Sequence, residues 1–591
     1  MEPYEGTSTH YANEKHTLIL IALMKAHGIR KIIASPGSTN AAFVASLQCD
    51  SFFEMFSAVD ERSAAYMAVG LAAESNEPVA ITCTGSTASR DYIPGLTEAF
   101  YRKLPVLAIT ASQHFGRVGQ YRAQVIDRSA QMADMVMESV DVNCIYTEED
   151  KKACISNINK ALIALKKNGG GPSHINLVTT YSRDYSVKAL PDVRKINYVS
   201  LKREMPSLKK YNHIAILSGV HCKWSDELLK AVEEFCQKYN AVVFTSHASN
   251  YKGEFGLNLN LIRSMANYIP KTPSADLVIY IGSIARYLPD KLGNEMWRVN
   301  PDGEIRDVEY KLTHVFAMDE LEFFEHYNSV FDGRPVQEYA KQWQNEHNEI
   351  LNSVPDLPFS NVWIAKTMSP ILPEGVVFHI SGANTARSWN FFPIHKSIDC
   401  YSNDGVMGID GQMSSLLGES LAAPGRLHFG AVGDLTFFYD MNCLGNRHVR
   451  NNIRLLVVNN GKGTEFKIYT SQPGATLGDR TDSFIAAEGH FGNKSPDLIR
   501  HYAEDLGFEY LTASSKEEVL AVLDRFTTPK ITEKSMIFEV FTDSVKENEA
   551  VYIMNHLVTN VKGRTKSVAR DIIRSLAGEK GIDAVKSIIK K

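Results

Sequence analysis

Two segments in the last third of the chain end in polar residues that could bind a metal ion. The apolar run Leu427–Ala431 leads into Gly433–Asp434, and the run Leu455–Val458 leads into Asn459–Asn460. The interval between them fits one helix and a strand, so we expect a βαβ crossover that brings both strand ends to one edge of a sheet. Carboxylate, amide and carbonyl oxygens suit Mg²⁺, which completes its shell with phosphate oxygens and water. The spacing therefore predicts a metal site that holds a phosphate-bearing ligand.

A second set of strand ends in the first third of the chain is also rich in glycine and hydroxyl side chains. Lys31–Ala34 reads as a strand that ends at Ser35–Ser38, and Val79–Thr82 as one that ends near Gly85–Thr87. Strong helix formers lie between them, at Glu61–Leu71. Open α/β sheets bind ligands at the carboxyl ends of their strands. We therefore expect a second ligand-binding edge here.

The elements that must position these residues alternate between short apolar strands and helices along most of the chain. This alternation predicts parallel α/β sheets. The fold class we predict is α/β, with three parallel-sheet domains followed by a helical tail. The predicted boundaries are 1–190, 205–345 and 355–547 for the domains and 548–591 for a basic C-terminal extension.

Composition narrows the class of protein without naming a function. The chain has 591 residues and a net charge of −5, so no global basic field favours a nucleic-acid partner. No apolar run reaches the roughly 18 residues that a membrane-spanning helix needs. We expect the basic tail to dock on the body or on a neighbouring subunit, and contact with an anionic membrane is the alternative. The polar N-terminus lacks the apolar core of a signal peptide, and the eight cysteines form no CxxC pair. We predict a cytoplasmic protein with reduced cysteines.

The Gly433–Asp434 and Asn459–Asn460 pair resembles the diphosphate-binding motif of thiamine-diphosphate (ThDP) enzymes. Other segments are similar to the branch of menaquinone-pathway SEPHCHC synthases (MenD-like). They are Ser35–Ser38, Val59–Ala64, Cys83–Ala88, Gly171–Leu177, Tyr401–Asn403, Gly408–Gly411 and Tyr439–Asn442. The similarity covers roughly residues 15–545, in the order and at spacings compatible with that branch. It implies a pyrimidine-binding first domain, a central domain and a diphosphate-binding third domain.

The resemblance also implies the cofactors and the residues that contact them. ThDP is expected with Mg²⁺ (or Mn²⁺ or Ca²⁺), and no FAD in the central domain. The implied metal ligands are Asp434, Asn460 and the carbonyl of Lys462, and Glu61 corresponds to the glutamate that exchanges a proton with the aminopyrimidine ring. The implied cofactor-binding residues are Gly37, Ser38, Glu61, Thr84, Gly382, Ala383, Gly408, Ile409, Asp410, Gly433, Asp434, Leu435, Thr436, Asn460 and Phe466.

The substrate pocket departs from the family pattern. Gln124 and Arg387 match active-site residues, which with Glu61 form the implied catalytic set. Thr39 and Asp404, however, stand where the family has arginines, and Glu465 replaces an aliphatic residue. Arginines bind carboxylates through paired hydrogen bonds, so we expect an acceptor less anionic than that of the family, for example a sugar derivative. The implied substrate-binding residues are Ser38, Thr39, Asn40, Gln113, His114, Gln124, Arg387, Asp404 and Glu465.

The predicted activity is decarboxylation of a 2-oxo acid with transfer of an acyl-anion equivalent to an acceptor. Simple decarboxylation, of the phosphonopyruvate type, that releases an aldehyde is one alternative, and a non-catalytic ThDP-binding protein is another. Family members enclose the cofactor between the first domain of one chain and the third domain of another. We therefore expect a homodimer or homotetramer whose other partners are the small-molecule donor and acceptor.

Overall fold

A computed structural model describes residues 10–196, 205–221, 223–285, 293–304, 306, 311–333 and 338–560. Three six-stranded sheets follow one another along this part of the chain, and every strand pair in them is parallel. The α/β fold class with three parallel-sheet domains is therefore confirmed.

The first sheet has the strand order β2-β1-β3-β4-β6-β5. Its strands are β1 (Lys31–Ala34), β2 (Glu54–Ser57), β3 (Val79–Thr84), β4 (Val106–Ser112), β5 (Glu138–Val142) and β6 (Ser173–Val178). Its helices are α1 (Lys15–Ala26), α2 (Ala41–Gln48), α3 (Glu61–Ser75), α4 (Thr87–Asp91), α5 (Ile93–Tyr101) and α6 (Glu148–Ala164). The chain runs to opposite sides from β1 and β3, so a crevice opens between their carboxyl ends.

The middle sheet has the order β12-β11-β10-β7-β8-β9, which differs from that of the first sheet. Its strands are β7 (Ile214–Ser218), β8 (Val242–Thr245), β9 (Gly256–Asn258), β10 (Ala275–Ile281), β11 (Gly293–Val299) and β12 (Leu312–Phe316). Its helices are α7 (Asp226–Tyr239), α8 (Asn260–Ser264) and α9 (Glu320–Ser329), and α10 (Tyr339–Asn352) leads to the third domain.

The third sheet repeats the topology of the first, with the order β14-β13-β15-β16-β18-β17. Its strands are β13 (Val377–Ile380), β14 (Asp399–Tyr401), β15 (His428–Gly433), β16 (Ile453–Asn459), β17 (Glu509–Ala513) and β18 (Met536–Phe541). Its helices are α11 (Asn361–Met368), α12 (Ala383–Trp389), α13 (Gln412–Ala422), α14 (Asp434–Asp440), α15 (Gln472–Leu477), α16 (Leu498–Asp505), α17 (Lys516–Phe526) and α18 (Ser544–Met554).

Helices α3 and α13 cross closely and join the first and third domains. A Cβ atom at Gly70 would lie 2.0 Å from the Ser415 carbonyl oxygen, and one at Gly418 would lie 2.0 Å from that of Met67. Only glycine allows the two backbones to approach this closely. Because Glu61 begins α3 and the segment Gly408–Gly411 leads into α13, the crossing fixes two of the predicted site segments relative to each other.

The third domain extends past the predicted boundary at residue 547. Helix α18 continues to Met554, and its side chains Ala550, Val551 and Met554 are fully buried in the core that the middle and third domains share. The backbone N–H of Asn560 donates a hydrogen bond to the backbone carbonyl of Asn267 in the middle domain, with an N–O distance of 3.2 Å. The basic stretch of the predicted extension, residues 561–591, lies outside the described residues. In the described part of the chain, no helix has the length and apolar character needed to span a bilayer.

Candidate functional site

The predicted metal ligands lie at the carboxyl ends of two adjacent strands. Strands β15 and β16 pair in register, with Gly433 opposite Val458, so Asp434 and Asn460 follow neighbouring strand ends. The backbone N–H of Gly461 donates a hydrogen bond to the Asp434 carboxylate. The crossover inferred from the spacing is therefore present, and it brings the two segments into contact.

Asp434 and Asn460 place buried side-chain oxygen atoms where a cation is expected to bind. The Asp434 carboxyl is 5% exposed, and burial raises its pKa to about 7, although the N–H groups of Leu435 and Gly461 oppose the rise. The side-chain oxygen of Asn460 is buried and has no hydrogen-bond partner among the described residues. A carboxylate that lacks a compensating charge, beside an unpaired amide oxygen, fits a hard divalent cation.

The turn after β16 is held by neighbouring side chains that sequence reasoning missed. The Asn459 amide donates to the buried carboxyl of Glu539 at 2.7 Å, and its oxygen accepts from the Gly461 N–H. Gly461 has a φ of +75°, which favours glycine at this point of the turn. The carbonyl of Lys462, the predicted third metal ligand, accepts from the Thr464 N–H at 2.8 Å and keeps its second lone pair.

The segment before α13 is anchored by Glu98 of α5. Its buried carboxylate accepts from the backbone N–H groups of Gly405 at 3.0 Å and Val406 at 2.8 Å. Met407 then adopts a left-handed φ of 57°, a strained conformation for this residue type that suits a functional segment. Sequence reasoning missed Glu98, because a single acidic residue in a helix gives no sign of a partner about 300 positions away.

Ile409 and Asp410, both predicted to bind the cofactor, are half-buried at the start of this crossing. The Tyr66 hydroxyl donates to the Asp410 carboxylate at 3.2 Å, which ties α3 to the segment before α13. Burial, with the nearby Asp410 charge, raises the pKa of Tyr66, so the hydroxyl keeps its proton as a donor. The two domains are thus linked directly beside a predicted site residue.

The loop after β1 uses two predicted substrate residues for its own structure. The Thr39 hydroxyl lies 2.7 Å from the Ala111 carbonyl and 2.6 Å from the Thr84 hydroxyl, and Thr39 is 2% exposed. The Asn40 amide donates to the Ser35 carbonyl at 3.0 Å, and this side chain is buried as well. The Thr39 hydroxyl and the Asn40 amide group thus have internal partners, whereas the Asn40 side-chain oxygen has none among the described residues. Their contact with substrate stays a prediction. Ser38, in contrast, is exposed, and Gly37 beside it is partly exposed.

Glu61 is the first residue of α3 and is half-buried. Burial raises the pKa of its carboxyl, and the negative charges of Asp91 and Asp60 raise it further. Asp60 caps the helix by accepting from the Ser63 N–H, and it also accepts from the Asn442 amide of the third domain. Glu61 is therefore held in place at a domain junction with a carboxyl group that retains a proton more readily than usual.

The remaining predicted substrate residues occupy different environments. Asp404 is 2% exposed and accepts from the Ser402 hydroxyl at 2.8 Å, so it lies in the interior of the loop, and its predicted contact with substrate stays a prediction. Gln124 is exposed, with a left-handed φ of 61°, on the irregular segment between β4 and β5. The same segment begins with Gln113, which accepts from Arg117, and His114, which accepts from the Gly116 N–H.

Arg387 and Glu465 form a bidentate salt bridge. One guanidinium nitrogen of Arg387 donates to Glu465 Oε2 at 2.8 Å, and the other donates to Oε1. Both side chains are partly exposed, and the neighbouring Phe466 is 42% exposed. Each residue was predicted for the pocket, but no pattern in the sequence indicated that they would pair.

The cofactor-binding backbone predicted in the third domain lies on three adjacent strand ends. Gly382 and Ala383 follow β13, Gly433 ends β15 and Asp434 to Thr436 follow it, and Asn460 follows β16. Ala383 has a left-handed φ of 55° at the first position of α12. In the first domain, Gly37 and Thr84 follow β1 and β3, at the equivalent crevice.

Comparison with known proteins identifies the relatives of this chain. A family model described as thiamine pyrophosphate enzyme, N-terminal TPP binding domain, matches residues 15–132. A 2-succinyl-5-enolpyruvyl-6-hydroxy-3-cyclohexene-1-carboxylate synthase from Phocaeicola vulgatus is 32% identical over 575 residues, which cover 93% of this chain and 99% of the relative. One from Bacteroides fragilis is 30% identical, with 93% and 100% covered.

A solved structure supports the fold. The thiamine diphosphate-dependent 4-hydroxybenzoylformate decarboxylase of Rhodococcus jostii RHA1 superposes with a TM-score of 0.65 over 90% of this chain and 99% of the other. At 16% sequence identity, this similarity concerns the fold alone.

Proposed function

The chain belongs to the family of 2-succinyl-5-enolpyruvyl-6-hydroxy-3-cyclohexene-1-carboxylate (SEPHCHC) synthases, which are ThDP-dependent enzymes, and we propose that it transfers a decarboxylated 2-oxo acid to an acceptor less anionic than theirs. A sugar derivative is one acceptor of this kind. When bound, ThDP supplies the nucleophilic carbon and the electron sink for loss of CO₂. The protein supplies binding, orientation and proton transfer.

The observation that carries the proposal is the environment of Asp434 and Asn460. A buried carboxyl with a pKa of about 7 and an unpaired amide oxygen side by side would be stabilised by Mg²⁺, Mn²⁺ or Ca²⁺. The carbonyl of Lys462 would complete the protein ligands. In this arrangement the metal would hold a diphosphate at the ends of β15 and β16.

Glu61 would serve as the proton-exchanging group. Its raised pKa keeps a proton available closer to neutral pH than that of an ordinary glutamate, which is what proton exchange with a weakly basic ring nitrogen needs. Its position at the start of α3, which packs closely against α13, gives the carboxyl a defined place in the fold. Gln124 and Arg387 would then orient the donor or the acceptor.

The choice of acceptor rests on the charges that remain for a ligand. Arg387, the arginine that would bind a carboxylate, already faces Glu465, and the position of a second family arginine holds Thr39 with internal partners. Asp404, at the position of another family arginine, is buried and adds no exposed positive charge. An acceptor with hydroxyl groups, and without several carboxylates, fits this pocket best.

The proposal is tested by following CO₂ release from a panel of 2-oxo acids with ThDP and Mg²⁺, with and without acceptors. We expect release that depends on ThDP, and an increase in turnover when a suitable acceptor is added. Release of an aldehyde without any response to acceptors would instead establish simple decarboxylation. Efficient turnover of 2-oxoglutarate with isochorismate would overturn the proposed acceptor class.

Replacement of Glu61 tests the catalytic assignment. We expect Glu61→Gln to lower kcat by about 10²-fold or more, since general acid–base groups contribute on this scale. ThDP affinity, measured by titration of intrinsic fluorescence, should change little. Asp91→Asn is the matched control, because it removes a neighbouring charge and leaves the Glu61 carboxyl in place. Unchanged turnover in Glu61→Gln would show that this residue is not the proton-exchanging group.

A further inference from the structure

We propose that Glu465 is an internal occupant of the carboxylate-binding face of Arg387 and thereby excludes substrate carboxylates from this part of the cleft. The inference rests on the proposed function for its biological meaning, but it can be tested by binding alone. It identifies Glu465 as a residue that determines specificity. Its consequence is that the acceptor or donor group that reaches this point carries no carboxylate.

The geometry of the pair is that of a bound ligand carboxylate. Two nitrogens of the Arg387 guanidinium donate to the two oxygens of one Glu465 carboxylate, with Nη1–Oε2 at 2.8 Å. This paired arrangement is the one by which arginine binds carboxylates in general, and it uses the same N–H groups that a substrate would need. A substrate carboxylate would therefore have to displace Glu465 before it could bind.

The pair stands beside the predicted cofactor site. Arg387 lies four residues, or about one helical turn of α12, after Ala383 at the end of β13. Glu465 lies five residues after Asn460, in the short helical segment Thr464–Lys467 that follows β16. Since β13 and β16 flank β15, the pair spans the strand end that bears Asp434.

Both side chains of the Arg387–Glu465 pair are exposed enough for a ligand to contact them. The Arg387 side chain is 24% exposed and that of Glu465 is 30% exposed, so a molecule in the cleft can reach both. A charge pair at this depth is only partly screened by water, and breaking it costs the entering ligand binding energy. The pair thus presents a nearly neutral surface where a free guanidinium would attract anions.

The neighbouring lysine side chains also form ion pairs with carboxylates. Lys462 lies within ion-pair distance of Asp482 and Glu488, and Lys467 lies within that distance of Asp479 and Asp482. These lysines therefore do not replace Arg387 as a carboxylate receptor. The positive charges of Lys462 and Lys467 are therefore offset by neighbouring carboxylates.

The test measures binding of glutarate to the ThDP- and Mg²⁺-loaded protein by isothermal titration. Glutarate is a dicarboxylate without a 2-oxo group, so binding is observed without turnover. We expect weak or no binding to the wild type and an affinity at least about ten-fold higher for Glu465→Leu, which frees the guanidinium. Glu465→Gln, which keeps the volume and removes the charge, should shift the affinity in the same direction by a smaller factor.

Two control variants separate the effect of Arg387 from that of general charge. Asp479→Asn removes one negative charge from the same segment, leaves the pair intact and should not improve glutarate binding. The double variant Arg387→Leu/Glu465→Leu should lose the gain.

A glutarate affinity that stays within two-fold of wild type in both Glu465 variants would overturn the inference, as would a gain that persists without Arg387. If the CO₂ assay fails but Glu465→Leu gains glutarate binding, the proposed function is wrong and the role of the pair still holds.

Discussion

Asp434 shows how a single side chain can make the protein depend on a bound ion. Its carboxyl is buried, and the N–H groups of Leu435 and Gly461 only partly offset the loss of hydration. Because the pKa rises to about 7, the folded, metal-free protein binds more protons at this group than the unfolded chain, in which an aspartate titrates near 4. Stability without metal should therefore fall as the pH rises from about 4 to about 7.

Replacing Asp434 by asparagine should remove this pH dependence of the metal-free stability. In the presence of a chelator, Asp434→Asn should be more stable than wild type at pH 8, by at most about 4 kcal/mol, because no buried carboxyl has to ionise. The difference should vanish well below pH 4, where the carboxyl is protonated in both the folded and the unfolded chain. Thermal unfolding across this pH range measures the effect.

Addition of Mg²⁺ with ThDP should reverse the order of stability. Wild type should gain in unfolding midpoint, since the ion binds only the folded form, whereas Asp434→Asn should gain little. Asp440→Asn is the matched control, because Asp440 is also buried with a pKa raised to about 7 but accepts hydrogen bonds from Ser414. An equal gain in all three proteins would contradict the assignment of Asp434 as a metal ligand.

At the scale of elements, the crossing of α3 and α13 determines how the predicted site segments are arranged. Glycine in a helix interior normally lowers stability relative to alanine. Gly70 and Gly418 each face a backbone carbonyl of the other helix, and the gap is too small for a side chain to fit. The gain in helix propensity that alanine normally brings would therefore be opposed here by a clash between the two backbones.

This reasoning predicts a reversal of the usual sign for a glycine-to-alanine change. Gly70→Ala should lower the unfolding midpoint and weaken ThDP binding, because a Cβ 2.0 Å from the Ser415 carbonyl oxygen forces the helices apart. Gly425→Ala, where the new atom would meet nothing within 4 Å, is the control and should be neutral. Thermal unfolding and ThDP titration measure both variants, and a stabilised Gly70→Ala protein would contradict the packing described here.

Sequence patterns predicted the buried strands well and the edge strands of the sheets poorly. The apolar runs at Lys31–Ala34 and Leu455–Val458 are strands β1 and β16 to within two residues, since strands buried on both faces show continuous apolar runs. Edge strands such as β2, β12 and β17 are partly exposed and give no such run. The helix crossing itself joins residues about 350 positions apart, and no local pattern indicates such a contact.

For the whole molecule, sequence patterns located the predicted site segments of the first and third domains, but not the contacts between their side chains. The metal-site segments could be located because their spacing matches one crossover. The pairing of Arg387 with Glu465 and the support of Gly405 by Glu98 depend on long-range packing of side chains, which only the folded chain establishes. The burial of Thr39, a predicted substrate-binding residue, has the same origin.

Exposed apolar side chains lie beside the predicted site segments of the first and third domains, and they indicate how the chains assemble. Val59, two residues before Glu61, is 81% exposed, and Met407, two residues before Ile409, is 52% exposed. Phe484 in the third domain is 95% exposed. Large apolar side chains in such positions are typical of surfaces that a partner covers. We therefore expect a homodimer or homotetramer in which Glu61 of one chain and Asp434 of another complete one site.

Complementation between two inactive variants tests this arrangement. Glu61→Gln and Asp434→Asn should each be inactive alone, but co-expression with separate tags should restore activity in mixed dimers. If sites are shared, random assembly gives half mixed dimers with one intact site of two, which is about a quarter of the wild-type CO₂ release. Light scattering on the same samples establishes the assembly state. If each site lies within one chain, mixing restores nothing, and a monomer in light scattering would exclude shared sites altogether.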